Sequence, residues 1–248
     1  MNVLYILWLR QIKKYIRSKS RIIGSLGQPI LFLVALGYGL GPVFQKAGGG
    51  NYIEFLAPGI IAMSILFTAI FSGIEIIWDK QFGFLKETMV APVSRLHIML
   101  GRSLGGATVA MIQGLIVFII TVVIGFRPHS LVMSLVAVIF MFIIALLFTA
   151  LGTAIASNLE DMQGFQLIMN FLVMPLFFLS GALFPLTNLP KALDVIVHLD
   201  PLTYGVDGLR GTLLGVSQFG IGFDMGLLAV LAMFFVALGA WFFSKIEV

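Results

Sequence analysis

Apolar residues fall in six long runs separated by short polar stretches, at 22–41, 53–77, 104–124, 131–156, 165–183 and 223–243. Runs of about twenty residues are long enough to cross a hydrocarbon core roughly 30 Å thick as helices. The pattern therefore predicts an all-α polytopic membrane protein with six transmembrane helices in a single domain, 1–248. Ahead of the first run, Leu4, Trp8, Ile12 and Tyr15 fall on one helical face, and Arg10, Lys13, Lys14, Arg17 and Arg21 on the opposite one. That split predicts an amphipathic helix over 1–21 lying in the membrane interface, aromatic side in lipid and basic side toward anionic headgroups. The alternative is a solvated helix packed on a soluble partner. Between the last two runs, 184–215 is interrupted by Pro185, Pro190 and Pro201, and no piece is long enough to cross. It reads as two short helices, one over 189–199 with Asn188 as N-cap and Pro190 just inside, the other from Asp200-Pro201 to Leu214. At membrane depth such pieces are re-entrant or lie on the surface.

The stretch from Trp78 to Arg102 joins the second and third runs. Trp78, Phe82, Leu85 and Met89 follow helical spacing, while Lys80, Gln81, Lys86 and Glu87 take the other sides. A short amphipathic helix is predicted, ended by Ala91-Pro92, because proline pushes the preceding residue out of the helical region. Such a helix suits docking onto a soluble body. Within the second run, Ser64, Thr68 and Ser72 recur every fourth residue above Glu75. The stripe reads either as a helix-packing face or as the lining of a substrate path, since lipid does not tolerate Glu75. The glycines of the first run, Gly24, Gly27, Gly37, Gly39 and Gly41, predict close packing on another helix.

Composition narrows the class. Hydrophobic residues make up 60% of the chain and charged ones 10%, with a mean hydropathy of +1.08, which excludes an ordinary soluble domain. There is no cysteine, so disulfides, zinc–cysteine sites and thiol nucleophiles are excluded. Charges interrupt the N-terminus before an apolar core builds up, so no cleavable signal peptide is expected. The net charge of +4 resides mostly at the span ends and speaks to orientation. Arg10, Lys13, Lys14, Arg17, Lys19, Arg21, Lys80, Lys86, Arg95, Arg102 and Lys245 share one side, against Lys46, Arg127, Lys191 and Arg210 on the other. The excess of basic residues predicts that both termini and 78–102 are cytosolic and that 184–215 faces outside.

A reactive set is not found. His97, His129 and His198 sit in different loops, and no H-E-x-x-H pair occurs. Ser180-Gly181 lacks the surroundings of a nucleophilic serine. Asp207 and Arg210, three residues apart, are expected to pair with each other, and Glu160 and Asp161 to be solvated. The G-x-x-x-x-G-K-[ST] phosphate cradle is absent. Mid-bilayer acids and repeated halves, the marks of an ion-driven carrier, are not seen either. If the chain does work, its energy comes from elsewhere.

Two stretches together resemble a known family. Asp79-Lys80-Gln81-Phe82-Gly83-Phe84-Leu85-Lys86-Glu87, with Ala91-Pro92-Val93-Ser94-Arg95, is similar to the first cytosolic loop of type-2 ABC exporter permeases. Leu179-Ser180-Gly181-Ala182-Leu183-Phe184-Pro185, Asn188-Leu189-Pro190, Asp200-Pro201-Leu202-Thr203-Tyr204 and Asp207-Gly208-Leu209-Arg210 resemble its outer-side signature. Within the family, the chain looks closest to the daunorubicin-resistance-like drug exporter permeases of bacteria and archaea. The resemblance implies a permease in the cell membrane that pairs with a second copy of itself and with two copies of a separate ATP-binding subunit. It implies no cofactor on this chain, ATP and Mg being bound by that partner, and no enzyme site of its own. A coupling helix over 79–90 is implied, with Asp79, Lys80, Phe82, Gly83, Leu85, Lys86, Glu87 and Met89, aided by 157–163. A substrate path between the two copies is implied at Ser64, Thr68, Ser72, Asn170, Phe171, Phe177 and Phe178. An outer gate is implied at Pro185, Pro190, Pro201, Tyr204, Asp207 and Arg210. The cargo expected from few polar path residues is a hydrophobic or amphipathic small molecule or a lipid; polysaccharide or teichoic acid is the alternative within the family. An ion-gradient carrier and a membrane-embedded enzyme are the alternatives outside it.

Overall fold

A computed structural model describes residues 3–48, 50–85, 93–186 and 189–246. The chain begins with α1 (Val3–Arg17) and α2 (Lys19–Lys46), followed by α3 (Tyr52–Phe71) and α4 (Ile74–Gln81). Next come α5 (Arg95–Ile124), α6 (Leu131–Ser157) and α7 (Met162–Leu179), and last α8 (Lys191–Leu199), α9 (Pro201–Leu214) and α10 (Ile221–Ser244). Six helical segments are long and apolar enough to span a membrane: α2, α3 with α4, α5, α6, α7 and α10. No strand occurs among the described residues.

Short polar side chains set the helix starts. Ser94, Ser130, Asp161 and Asn51 each accept a hydrogen bond from a backbone N–H of the first turn, at His97, Met133, Gly164 and Ile53 respectively. These caps place the ends of spans two, three and five differently from the hydrophobic runs. Span three starts nine residues before the expected 104, at Arg95, and span five starts at Met162.

Span two is the centre of the bundle. In its most apolar window 72% of residues are buried inside the protein, against 17% in span one and 22% in span five. It touches α2, α5, α6, α7 and α9, while α7 packs only lightly on the rest. Where span two bends between α3 and α4, it meets span four backbone to backbone. A Cβ on Gly73 would lie 2.5 Å from the Gly152 carbonyl oxygen, and one on Gly152 2.5 Å from that of Ile70. Only glycine at both positions allows this approach.

α1 does not present its aromatic side to lipid, as the sequence pattern suggested. That side lies on α5: Trp8 Nε1 donates to Thr108 Oγ1 at 3.0 Å, and the Tyr15 hydroxyl donates to Gln113 Oε1 at 2.5 Å. Gly101 and Gly105 let the α1 backbone close in, with Leu4, Leu7, Trp8 and Gln11 over them. An amphipathic pattern states that one face is apolar; it does not state whether lipid or protein covers it.

The broken segment is also only partly as expected. α9 follows Asp200-Pro201 and ends at Leu214, as predicted, and Asp200 caps it by accepting from Leu202 N at 2.8 Å. α8 begins at Lys191 with Pro190 just outside it, not inside; Asn188 lies outside the described residues. α8 is largely exposed, but α9 is buried along most of its length against α3, α6 and α10.

Candidate functional site

The end of the bundle where spans two, three and four meet α1 carries a dense charge cluster, and span two supplies its acids. Glu75 Oε1 lies 2.9 Å from Arg21 Nη1 and 3.4 Å from Lys14 Nζ. One turn further, Asp79 pairs with Arg102 of α5, and Arg10 Nη2 stands 3.7 Å from it. Glu75, Asp79 and Arg102 are buried at 7%, 8% and 5% exposure. The charge that made Glu75 incompatible with lipid is neutralised inside the protein, which is how buried charges persist.

The last turn of span two is tied to the loop after span four. Lys80 Nζ donates to the carbonyl oxygens of Ser157 at 2.7 Å, Leu159 at 3.2 Å and Ala156 at 3.5 Å. A cation among the free carbonyls of a helix C-terminus is well placed electrostatically. Gln81 Nε2 donates to Glu160 O at 3.0 Å, and Trp78 Nε1 contacts Met162 Sδ. Glu160 and Asp161 are exposed, as expected, but their loop is held through its backbone carbonyls by the stretch expected to dock. At the same end, Arg95 donates to the carbonyls of Ser244 and Ile246, fastening α5 to the end of α10.

Among the candidate coupling residues, the continuous amphipathic helix over 79–90 is not what forms. α4 ends at Gln81, and Gly83 takes a φ of +80°, a left-handed conformation that breaks the helix and favours glycine. The shared face is lost with it. Trp78 and Phe82 are exposed, Phe82 at 70%, whereas Leu85 is buried at 1%. Asp79 and Lys80 point into the protein as the tethers just described. Lys86, Glu87 and Met89, with Ala91-Pro92, lie outside the described residues.

The candidate path residues do not converge within the chain. Ser64 and Thr68 line a cavity of about 220 Å³ shared with Tyr15, Arg21, Ser25 and Gln28. Ser72 instead turns to Gly106 of α5. Asn170, Phe171 and Phe178 are on the open face of α7, Phe171 at 84% exposure, while Phe177 is buried against Phe32 of span one.

At the opposite end, the expected Asp207–Arg210 pairing is replaced by separate partners. Asp207 accepts from Ser217 Oγ at 2.8 Å, Gln218 N at 2.9 Å and Phe219 N at 3.0 Å. Arg210 donates to Gly181 O at 3.0 Å and lies 4.3 Å over the Phe55 ring; burial lowers its pKa to about 10, against a pull upward from Asp207. Tyr204 donates its hydroxyl to His198 O at 2.9 Å. Burial pushes the Asp200 carboxyl up to about 8, the bond from Leu202 N acting the other way. Pro201 forms the first turn of α9, and Pro185 and Pro190 flank the connection before α8. With α9 wedged into the bundle, the segment is not a free flap.

Sequence reasoning missed Arg102 as a partner for Asp79, Gln113 as a partner for Tyr15 and the Lys80–Ser157 strap. The available signals were an arginine and a glutamine within otherwise apolar span three and a lysine directly after an acid.

These features define a polytopic helical membrane protein with an ion-paired basic end and a capped opposite end. A model of the ABC-2 type transporter family matches residues 2–214, and the chain belongs to that family. It is similar to Nodulation protein J of Rhizobium leguminosarum bv. viciae, 29% identical over 213 residues, covering 85% of this chain and 82% of the relative. A protein named as a transport permease, ycf38 of Cyanophora paradoxa, is 27% identical, covering 98% of this chain and 88% of that one. Nodulation protein J of Rhizobium meliloti (strain 1021) is 27% identical over 216 residues, covering 86% of this chain and 82% of the relative. The chain is thus an ABC-2 type transport permease.

Proposed function

We propose that this permease is the membrane subunit of an exporter driven by a separate ATP-binding subunit, which binds the ATP and Mg. Two permease copies and two ATPase copies make the working assembly in the cell membrane of a bacterium or archaeon, with both termini in the cytosol. The cargo is a hydrophobic or amphipathic small molecule or a lipid, passing between the permease copies outward. The lightly packed α7, with Phe171 and Phe178 on its open face, supports an apolar lining completed by a second copy.

The observation that carries this reading is the construction around Phe82. An exposed ring sits at the tip of span two, and the turn behind it is tied to α1 through Asp79 and to the end of span four through Lys80. A push on this tip moves three elements together, which is what force from a soluble motor requires. Phe82→Asp should abolish cargo-stimulated ATPase activity of the assembled complex, while amount in the membrane and thermal stability stay unchanged. Leu85→Asp should instead lower the amount of folded protein, because Leu85 is buried. Full coupling in Phe82→Asp would remove the docking role. Stimulation by saccharide polymers and not by amphipathic compounds would overturn the cargo class alone.

A further inference from the structure

The hairpin end holds an acid that no role described so far uses. Asp224, in the first turn of α10, is fully buried at 0% exposure, and neither of its carboxyl oxygens has a hydrogen-bond donor among the described residues. It lies against Asp207 of α9, within reach of a hydrogen bond between the two carboxyls. Asp207 has the opposite surroundings: Ser217 Oγ, Gln218 N and Phe219 N all donate to it.

Among the described residues, no cation pairs with Asp224. Arg210, one turn along α9 from Asp207, is turned away to Gly181 O and the Phe55 ring. Titratable groups placed near this end include Tyr204 and Asp200 of the α9 start, His198, whose ring packs on Phe219, and His129, whose ring approaches Gly215; α8 adds Lys191 and Asp194, and α3 adds Tyr52 and Glu54. Burial raises the pKa of the Tyr204 phenol, and the nearby Asp224 and Asp200 add to the rise. At Gly208 and Gly205 of α9, α6 presents the apolar Phe140 and Ile144. Two adjacent carboxylates sealed from water cannot both stay charged with nothing between them. A metal ion fits poorly, since three donors already occupy Asp207 and no cluster of three metal-ligating side chains forms among the described residues. A proton fits both partners.

We propose that Asp207 and Asp224 form a buried one-proton site, in which Asp224 carries the proton and donates it to ionised Asp207. The bond clasps α10 to α9 and to the 217–219 loop that Asp207 holds. Loss of the proton leaves two facing negative charges and drives α10 from α9, so opening of the hairpin end releases a proton and closure takes one up. The site stands independently of the transport reading; its use, a hairpin end that opens more readily in alkaline surroundings, rests on it.

The test uses the full chain in lipid nanodiscs, in an Asp200→Asn background that removes the other buried acid with an unpartnered oxygen. Infrared spectroscopy should show a protonated buried carboxyl at neutral pH that disappears on alkalinisation, and Asp224→Asn should delete that band. Thermal stability should fall as pH rises in the background protein. With Asp224→Asn, whose amide replaces the proton as donor, the slope should drop by about one proton. An unchanged slope and an unchanged band overturn the proposal. Should Asp224→Asn fail to fold, the background protein alone decides: absence of the protonated carboxyl overturns the site. Stability that tracks sodium or calcium concentration and not pH overturns it too, by showing a cation in the proton's place.

Discussion

The two ends of the bundle handle buried charge in opposite ways. At the basic end, acids of span two meet side-chain cations from three other segments: Arg10 and Lys14 of α1, Arg21 of α2 and Arg102 of α5. At the hairpin end, Asp200 and Asp207 are held by backbone N–H groups, and Arg210 by a carbonyl and a ring. Side-chain ion pairs bind distant elements together and can re-pair when these shift. Backbone bonds fix local shape and have no alternative partner nearby. The basic end is thus a connected set of side-chain pairs, whereas at the hairpin end local bonds hold each group and the Asp207–Asp224 contact joins α9 to α10.

The largest test of that contrast is Arg102→Met. It leaves Asp79 buried with only the more distant Arg10, and losing one partner of a buried pair costs about 3–5 kcal/mol. Thermal denaturation in detergent should show a large loss, much of it recovered by adding Asp79→Asn. Failure of the second change to recover stability would show that Arg102 matters for packing and not for charge. A smaller effect is expected from Asp200→Asn, and its sign depends on pH. The folded protein keeps a proton on Asp200 up to about 8, while the unfolded chain releases it near 4. The folded state therefore binds more protons across that window, and this acid makes stability fall as pH rises through it. Asparagine keeps the cap to Leu202 and removes this fall, so the variant should match the parent at pH 4 and exceed it by a few kcal/mol at pH 8. The smallest effect should come from Tyr15→Phe, which deletes one hydrogen bond and leaves Gln113 buried without that donor. A loss of about 1 kcal/mol is expected, read as a small drop in melting temperature. No change would mean that the Tyr15–Gln113 bond adds nothing to the seating of α1 on α5.

The six spans were legible because twenty apolar residues in succession have few other uses. Their ends were less so, since helices run on past the apolar run until a cap such as Ser94 or Asp161 or a glycine such as Gly83 stops them. Periodicity placed Phe82 and Leu85 on one face only because it assumed an unbroken helix; one left-handed residue between them sends the first outward and the second inward. Partners distant in sequence were the hardest to foresee. Asp207 is held by the Ser217 hydroxyl and two backbone N–H groups ten to twelve residues on, not by the arginine three away, because the turn at 215–220 folds those donors over it. The acids of span two gave the location of the candidate site, but only the fold shows that Asp79 and Lys80 are its inner fastenings.

Lys80 and the glycine crossing together restrict how spans two and four can shift. The ammonium grips three carbonyls at the foot of span four. Seven residues earlier, about 10 Å along the helix, Gly73 and Gly152 leave no room between the backbones. Sliding one helix past the other would strip the ammonium of its acceptors and jam the crossing, while tilting about the line through both points disturbs neither. The two contacts therefore resist sliding of span two along span four and leave tilting of one helix against the other as the less obstructed displacement.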